Sequence, residues 1–301
     1  MHIETLTTRV AHRLPDELRL ERETRWSAAR GDGNLHSFLE GPAFDREGTL
    51  YCTDVCHGRI FRIDASGAWR VLAHYDGQPN GMKVHRDGRL FVADAARGLL
   101  ILHPGTGDIL AEHAGFGAVE FQGLNDLFFR ADGSLLLTDP GPSSLANRCG
   151  RVFSLDTGGT LATLIDGLAF PNGVAAAPDE KALCIAVTRT LQVLRAQCRG
   201  GGLHNPGVFI NLSGGLAGPD GIAFFEDGGL IVAHSGLGVV WLFTALGELR
   251  GRIQSCAGIR TTNVAVHPHQ RRKLFITESE SGCILVADLP APGALLPSLA
   301  G

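Results

Sequence analysis

The sequence predicts a six-bladed all-β propeller, on three observations. A strand–turn–strand pattern recurs six times, opening at Glu40, Asn80, Asn125, Asn172, Asp220 and Thr262, at intervals of 40 to 48 residues. Each unit holds three or four short apolar runs separated by turn residues, which is the size and content of one propeller blade. The chain carries 40 glycines and 14 prolines, with only 19% charged residues, a composition suited to many turns and few exposed helices. A single blade cannot bury both of its apolar faces, but six blades closed into a ring can.

Taken in order, residues 1–17 read as a loose lead-in, and residues 18–26 alternate like an edge strand. The sixth unit has only three clear strands before Pro290, so residues 18–26 are expected to supply its outer strand and close the ring. The propeller is expected over 18–289 as one domain. In the six units the second strands are led by Leu50, Leu90, Leu135, Leu183, Leu230 and Leu274. Four turns before them carry a glycine (Gly48, Gly88, Gly133 and Gly228), where a tight hairpin needs positive φ. A second glycine follows four residues after the strand end at Gly58, Gly98, Gly238 and Gly282, and after an insertion at Gly150. The tail, residues 290–301, reads as a surface segment.

Composition excludes several function classes. A net charge of −4 gives no electrostatic basis for nucleic-acid or membrane partners. No run approaches the ~20 apolar residues of a membrane span, and the first residues lack a signal-peptide pattern. Seven scattered cysteines without a CxxC pair predict free thiols and a cytoplasmic location.

The pattern also sorts residues by face. The opening residue of each unit and the end of its second strand lie at the same end of the blade. Around the axis stand Glu40, Asn80, Asn125, Asn172, Asp220 and Thr262; beyond them stand Asp54, Asp94, Asp139, Val187, His234 and Glu278. Two longer segments, 115–124 and 140–149, enter the same face, and long loops on a compact scaffold commonly carry function. Turn chemistry alone accounts for Asn and Asp at strand starts, and it suits Asn80 and Thr262 as well as any ligand role does. It does not account for Glu40. Carboxylate and amide oxygens without Cys or His make a hard site, so Glu40, Asn172 and Asp220 are expected to hold one divalent cation with Asn125 close by. Ca²⁺ comes first, with Mg²⁺, Mn²⁺ or Zn²⁺ open. Asp54, Asp94 and Asp139 read as turn caps, with Asp139 placed best to reach the pocket. There is no G-x-S-x-G and no serine–histidine pairing by motif.

Four motifs in this order, Glu40-Gly41-Pro42, Leu124-Asn125-Asp126-Leu127, Pro171-Asn172-Gly173 and Pro219-Asp220-Gly221, resemble the senescence marker protein/gluconolactonase/luciferin-regenerating enzyme family over about residues 35–289. The resemblance implies a six-bladed propeller with one axial divalent metal and hydrolysis of a lactone, gluconolactone being the type substrate. It places metal ligands at Glu40, Asn172 and Asp220, the general base at Asp220, and substrate contacts at Asn125. Asn80, Gln122, His234 and Asp139 complete the expected substrate-binding set. Hydroxide on the ion is the alternative base. Animal members carry arginine where this chain has Gly123, so the segments 115–124 and 140–149 are expected to set substrate choice. A phosphotriesterase-like hydrolase, as in diisopropyl fluorophosphatase, and a non-catalytic ligand-binding propeller are the competing readings.

Overall fold

The computed structural model describes residues 4–200 and 202–300. Six consecutive antiparallel sheets surround a common axis. Their innermost strands are Leu39–Phe44, Pro79–Val84, Leu127–Phe129, Pro171–Ala176, Gly218–Phe224 and Thr261–Val266. Each contacts the inner strands of both neighbouring blades, the sixth meeting the first. Buried apolar side chains from adjacent blades interlock between the sheets, as Val174, Ile185 and Val232 do between the fourth and fifth.

The hairpin glycines sit at positive φ, from +81° at Gly228 to +91° at Gly88. So does the later set, Gly58, Gly98, Gly238 and Gly282. In the fourth blade the equivalent residue is Leu191, and the repeat geometry still holds it at φ +55°. The fold imposes that backbone even where the sequence lacks glycine.

Ring closure by an N-terminal strand holds, but the strand differs from the expected one. Arg9–Arg13 lies antiparallel to Cys283–Asp288 as the outer strand of the sixth blade. Glu4–Thr7 adds a fifth, parallel strand to the fifth blade against Leu249–Gln254. Thus the residues read as a lead-in are built into sheets. Residues 18–26 are instead turn and helix: a 3-10 turn at Asp16–Leu18 precedes the helix Arg25–Arg30. Thr24 and Ser27 form a capping box at the start of that helix, and Gly31 ends it at φ +71°. The alternation over 18–26 was a weaker signal than this pair of caps.

The C-terminal segment is a plug rather than a surface tail. Leu299 and Ser298 are buried, and Leu296 packs against two of the inter-blade cores. The Ala294 amide donates to the Phe224 carbonyl, and the Glu226 amide donates to Pro292. The inner strands end on this side in Phe44, Val84, Phe129, Ala176, Phe224 and Val266, an apolar rim that needs cover. All seven cysteines are free.

Candidate metal centre

In five blades the ladder between the first and second strands slips at the opening residues: between Glu40 and Ala43, Pro79 and Met82, Pro171 and Val174, Pro219 and Ile222, and Thr261 and Val264. In the third blade the ladder starts only at Leu127, after Asn125-Asp126. A bulge frees its residues from strict alternation and re-aims their side chains. That is how six opening residues come to stand around one axis. Threonines one place before the strand ends hold the bulges. Thr53 Oγ1 donates to the Asn80 carbonyl at 2.7 Å, and Thr138 and Thr277 accept from the Asp126 and Asn263 amides at 2.9 and 3.0 Å.

The bulge glycines permit close approach. A Cβ on Gly173 would overlap the Asp220 carbonyl oxygen and come 2.8 Å from the Ile222 amide nitrogen. Both are backbone atoms that cannot swing aside. Gly173→Ala should therefore cost about 1–3 kcal/mol of stability and lower cation affinity by displacing Asp220. Thermal denaturation with and without Ca²⁺ measures both, and an unchanged Ca²⁺-induced shift would show that strand spacing does not set the site.

Above the bulges lies a cavity of about 310 Å³, and Glu40, Asn80, Gln122, Asn125, Asn172 and Asp220 all line it. Glu40 is buried; its Oε2 accepts from the Gly41 amide at 2.7 Å and from Asn263 Nδ2 at 3.0 Å. Asn172 Nδ2 donates to Thr188 Oγ1 at 3.2 Å, and that hydroxyl donates on to the Pro219 carbonyl at 2.8 Å. This chain ties the Asn172 side chain to the inner strand of the fifth blade. Asn125 Oδ1 and Asp220 Oδ1 are buried oxygens with no hydrogen-bond partner.

Burial pushes the Glu40 carboxyl up to about 7, against the Gly41 and Asn263 hydrogen bonds that favour its charge. Burial, with the nearby charges of Glu40 and Asp126, holds Asp220 well above the ordinary carboxylate range. Asp126 is also buried, and Lys83 Nζ lies 3.5 Å from its Oδ1. With all three carboxylates ionised, one ammonium would leave an excess of two negative charges in a desolvated space, which is why the metal-free site holds on to protons. Orphaned oxygens and unbalanced charge are costly alone and are what a hard divalent cation satisfies. The residues present fit such an ion.

Three members of this layer escaped the sequence reading. Asp126 and Asn263 stand one residue past the opening position, where Gly41, Gly81, Gly173 and Gly221 stand in the other blades. Their departure from glycine was the available signal. Lys83 carried none.

Two expected substrate contacts lie elsewhere. His234 is fully buried, outside the cavity: Trp241 Nε1 donates to its Nδ1 and its Nε2 meets the Gly214 carbonyl, both at 3.1 Å. Asp139 is buried under the loop, accepting from the Gln122 amide and pairing with Arg151. It caps the turn as Asp54 and Asp94 do, which accept from the Phe38 and Gln78 amides. Asp54, Cys56 and His57 cluster closely enough to suggest a second metal site. Asp54, however, is taken by Arg59 through two hydrogen bonds at 2.6 and 2.8 Å. Thr262 is buried and spends its hydroxyl on the Leu39 carbonyl.

Of the loop 140–149, Pro140 and Gly141 line the cavity. Ser143, buried, accepts the Phe170 amide at 3.0 Å and so supports a non-glycine residue at φ +68°. Shortening 140–149 should therefore change the ranking among substrates while leaving cation stoichiometry intact; an unchanged ranking, measured by initial rates, would make the loop mere surface.

Residues 38–280 match the SMP-30/Gluconolactonase/LRE-like region. The chain belongs to that family. It is 29% identical over 275 residues to diisopropyl-fluorophosphatase of Loligo vulgaris, covering 81% of this chain and 87% of the relative. It is 30% identical over 230 residues to lactonase drp35 of Staphylococcus aureus (strain USA300), covering 71% and 69%. The gluconolactonase XC5397 of Xanthomonas campestris superposes with a TM-score of 0.74 at 25% identity, over 94% of this chain and 99% of that one. Regucalcin of Agrobacterium tumefaciens, described as a calcium-binding protein, superposes at 0.77 with 19% identity, over 97% and 98%. The last likeness speaks for the fold alone.

Proposed function

We propose that the protein is a divalent-metal-dependent lactonase acting on a sugar lactone of the gluconolactone type, with Ca²⁺ as the first candidate ion. The carrying observation is the set of desolvated oxygens, Glu40, Asn125, Asn172 and Asp220, converging on the floor of one cavity with two of them unpartnered. Glu40, Asn172 and Asp220 would hold the ion, and Asn125 would complete the set or bind substrate. A cation bound there would draw electron density from the ester carbonyl and favour the charge that develops on its oxygen.

The chain's own residues do the rest. Asp220, raised in proton affinity by burial and by its acidic neighbours, takes a proton from the attacking water. The water oxygen bonds to the acyl carbon, the ring carbon–oxygen bond breaks, and the proton passes to the departing alkoxide. The product is an open-chain hydroxy acid. Gln122, Asn80 and the amide of Asn125 line the walls and orient the sugar hydroxyls.

The likeness to diisopropyl-fluorophosphatase supports a second reading, phosphotriesterase-like attack of water at phosphorus on the same floor, with fluoride as the leaving group from a fluorophosphate. Initial rates on several aldonolactones and on diisopropyl fluorophosphate, each with and without chelator, separate the two. Lactone turnover abolished by chelation and restored by Ca²⁺ is the expected result. Full activity in metal-free protein would refute the metal-dependent reading. Faster release of fluoride from diisopropyl fluorophosphate would favour the second, and no turnover at all a binding propeller.

A further inference from the structure

The floor of the cavity is acidic, but its rim is basic. Of the residues lining the cavity, Glu40 and Asp220 are the only carboxylates, and both are on the floor. Arg30 and Arg189 line the mouth. Each lies over an aromatic ring that also faces the cavity: the Arg30 guanidinium is 4.5 Å from the Trp26 ring centre, and that of Arg189 is 5.3 Å from Phe170. Such stacking orients a guanidinium without using up its N–H donors.

Arg30 is partly compensated, since Asp32 lies 3.3 Å away, but Asp32 also pairs with Arg260 at 2.8 Å. Two guanidiniums share one carboxylate on that side. The Arg189 guanidinium has no hydrogen bond or ion pair among the described residues. Its platform, Phe170, is held in the left-handed region at φ +68°, a conformation a non-glycine residue keeps only when its surroundings enforce it. Ser143 from the loop 140–149 and the Thr188 amide fix that backbone, the latter donating to the Phe170 carbonyl at 3.0 Å. With one divalent cation balancing the floor, the Arg189 guanidinium at the rim is left without a carboxylate partner among the described residues, and Arg30 has only a shared one. This occurs in a chain whose net charge is −4.

We propose that Arg189, assisted by Arg30, binds a second anionic group on the substrate, a carboxylate or phosphate at the end of the sugar remote from the lactone carbonyl. The ester sits on the floor, and the anion sits at the mouth, where a planar guanidinium accepts either oxyanion through paired N–H donors. The loop 140–149 acts on substrate choice through Phe170, by positioning Arg189. The proposal rests on the lactonase reading of the floor.

The test compares lactones matched in ring and differing in the terminal group: glucono-1,4-lactone with glucaro-1,4-lactone, and glucono-1,5-lactone with its 6-phosphate. The Ca²⁺-loaded protein should show kcat/KM at least about tenfold higher for one anionic member, and the favoured pair tells carboxylate from phosphate. Arg189→Gln should reduce that ratio about tenfold or more, as expected for loss of a charge-assisted pair. Arg250→Gln, which removes the same charge from an exposed pair with Asp227, should leave the ratio unchanged. Equal kcat/KM within both pairs, or a ratio insensitive to Arg189→Gln, overturns the proposal. If no lactone is hydrolysed, the lactonase reading fails, and calorimetry with glucarate and gluconate then judges the rim. Tighter glucarate binding that Arg189→Gln abolishes upholds the anion site; equal binding ends it.

Discussion

Asp220→Asn, measured at saturating Ca²⁺ on a good lactone, should lose about 10²- to 10⁴-fold in turnover, the usual cost of removing a general base. The substitution keeps the size of the side chain and one oxygen toward the channel, so part of the cation affinity should remain. Glu40→Gln should behave differently. Two donors, the Gly41 amide and Asn263 Nδ2, converge on Glu40 Oε2. A glutamine there must offer its oxygen to them, which turns its nitrogen toward the channel. The variant should lose more cation affinity than the roughly 10–100-fold typical of an outer-shell partner, and its turnover should recover when Ca²⁺ is supplied in excess. Calorimetric titration with Ca²⁺ gives the affinities independently of activity. Should Asp220→Asn recover with Ca²⁺ as fully as Glu40→Gln, Asp220 is a ligand only and the base is another group.

The contrast between these two carboxylates was legible only in part. Their place on the axis followed from the repeat, because the opening residue of each unit occupies the same register. Their difference did not follow, because it depends on what each side chain touches across the ring. Asn263, which fixes Glu40, lies 223 positions away, and Thr188, which orients Asn172, lies on a neighbouring turn. The threonine before three of the four acidic strand ends (Thr53, Thr138 and Thr277, before Asp54, Asp139 and Glu278) was visible as a recurrent pair. Its meaning appears only when the bulge is seen. His234 and Asp139 show the converse. Both lie at the correct end of their blades, but one strand further from the axis, where a polar side chain caps a turn or a core rather than reaching the cavity.

The N-terminus was the least legible region. An outer strand such as Arg9–Arg13 buries little, with Val10 39% exposed, so its pattern is weak. Residues 18–26 alternate more clearly and fold as something else. The consequence is functional, because the helix Arg25–Arg30 brings Trp26 and Arg30 to the cavity, and nothing in the repeat announces them.

The metal-free protein should lose stability as pH rises through neutrality, and Ca²⁺ should remove that loss. Glu40 has a folded value of about 7 against 4.5 for the ordinary group. Between these values the native state holds a proton that the unfolded chain has released. Stability contributed by the protonated form is complete below about 4.5 and is lost as pH climbs to about 7. For Glu40 alone the loss is roughly 3 kcal/mol, and Asp220, raised for the same reason, adds to it in the same direction. The buried histidines His57 and His234, lowered by desolvation, work with the opposite sign below their ordinary value. The clean measurement is therefore a difference between the wild-type protein and Glu40→Gln, each freed of metal and melted from pH 5 to 8. The wild-type melting temperature should fall by roughly 5 °C relative to the variant over that range. Saturating Ca²⁺ should restore it at pH 8, where both carboxylates are ionised and the ion binds only the native state. Calcium affinity should accordingly rise with pH, since the ion competes with protons for the same oxygens. Parallel melting curves for the two metal-free proteins would mean that Glu40 titrates as an exposed carboxylate does, and the desolvated anionic floor on which the metal centre rests would have to be given up.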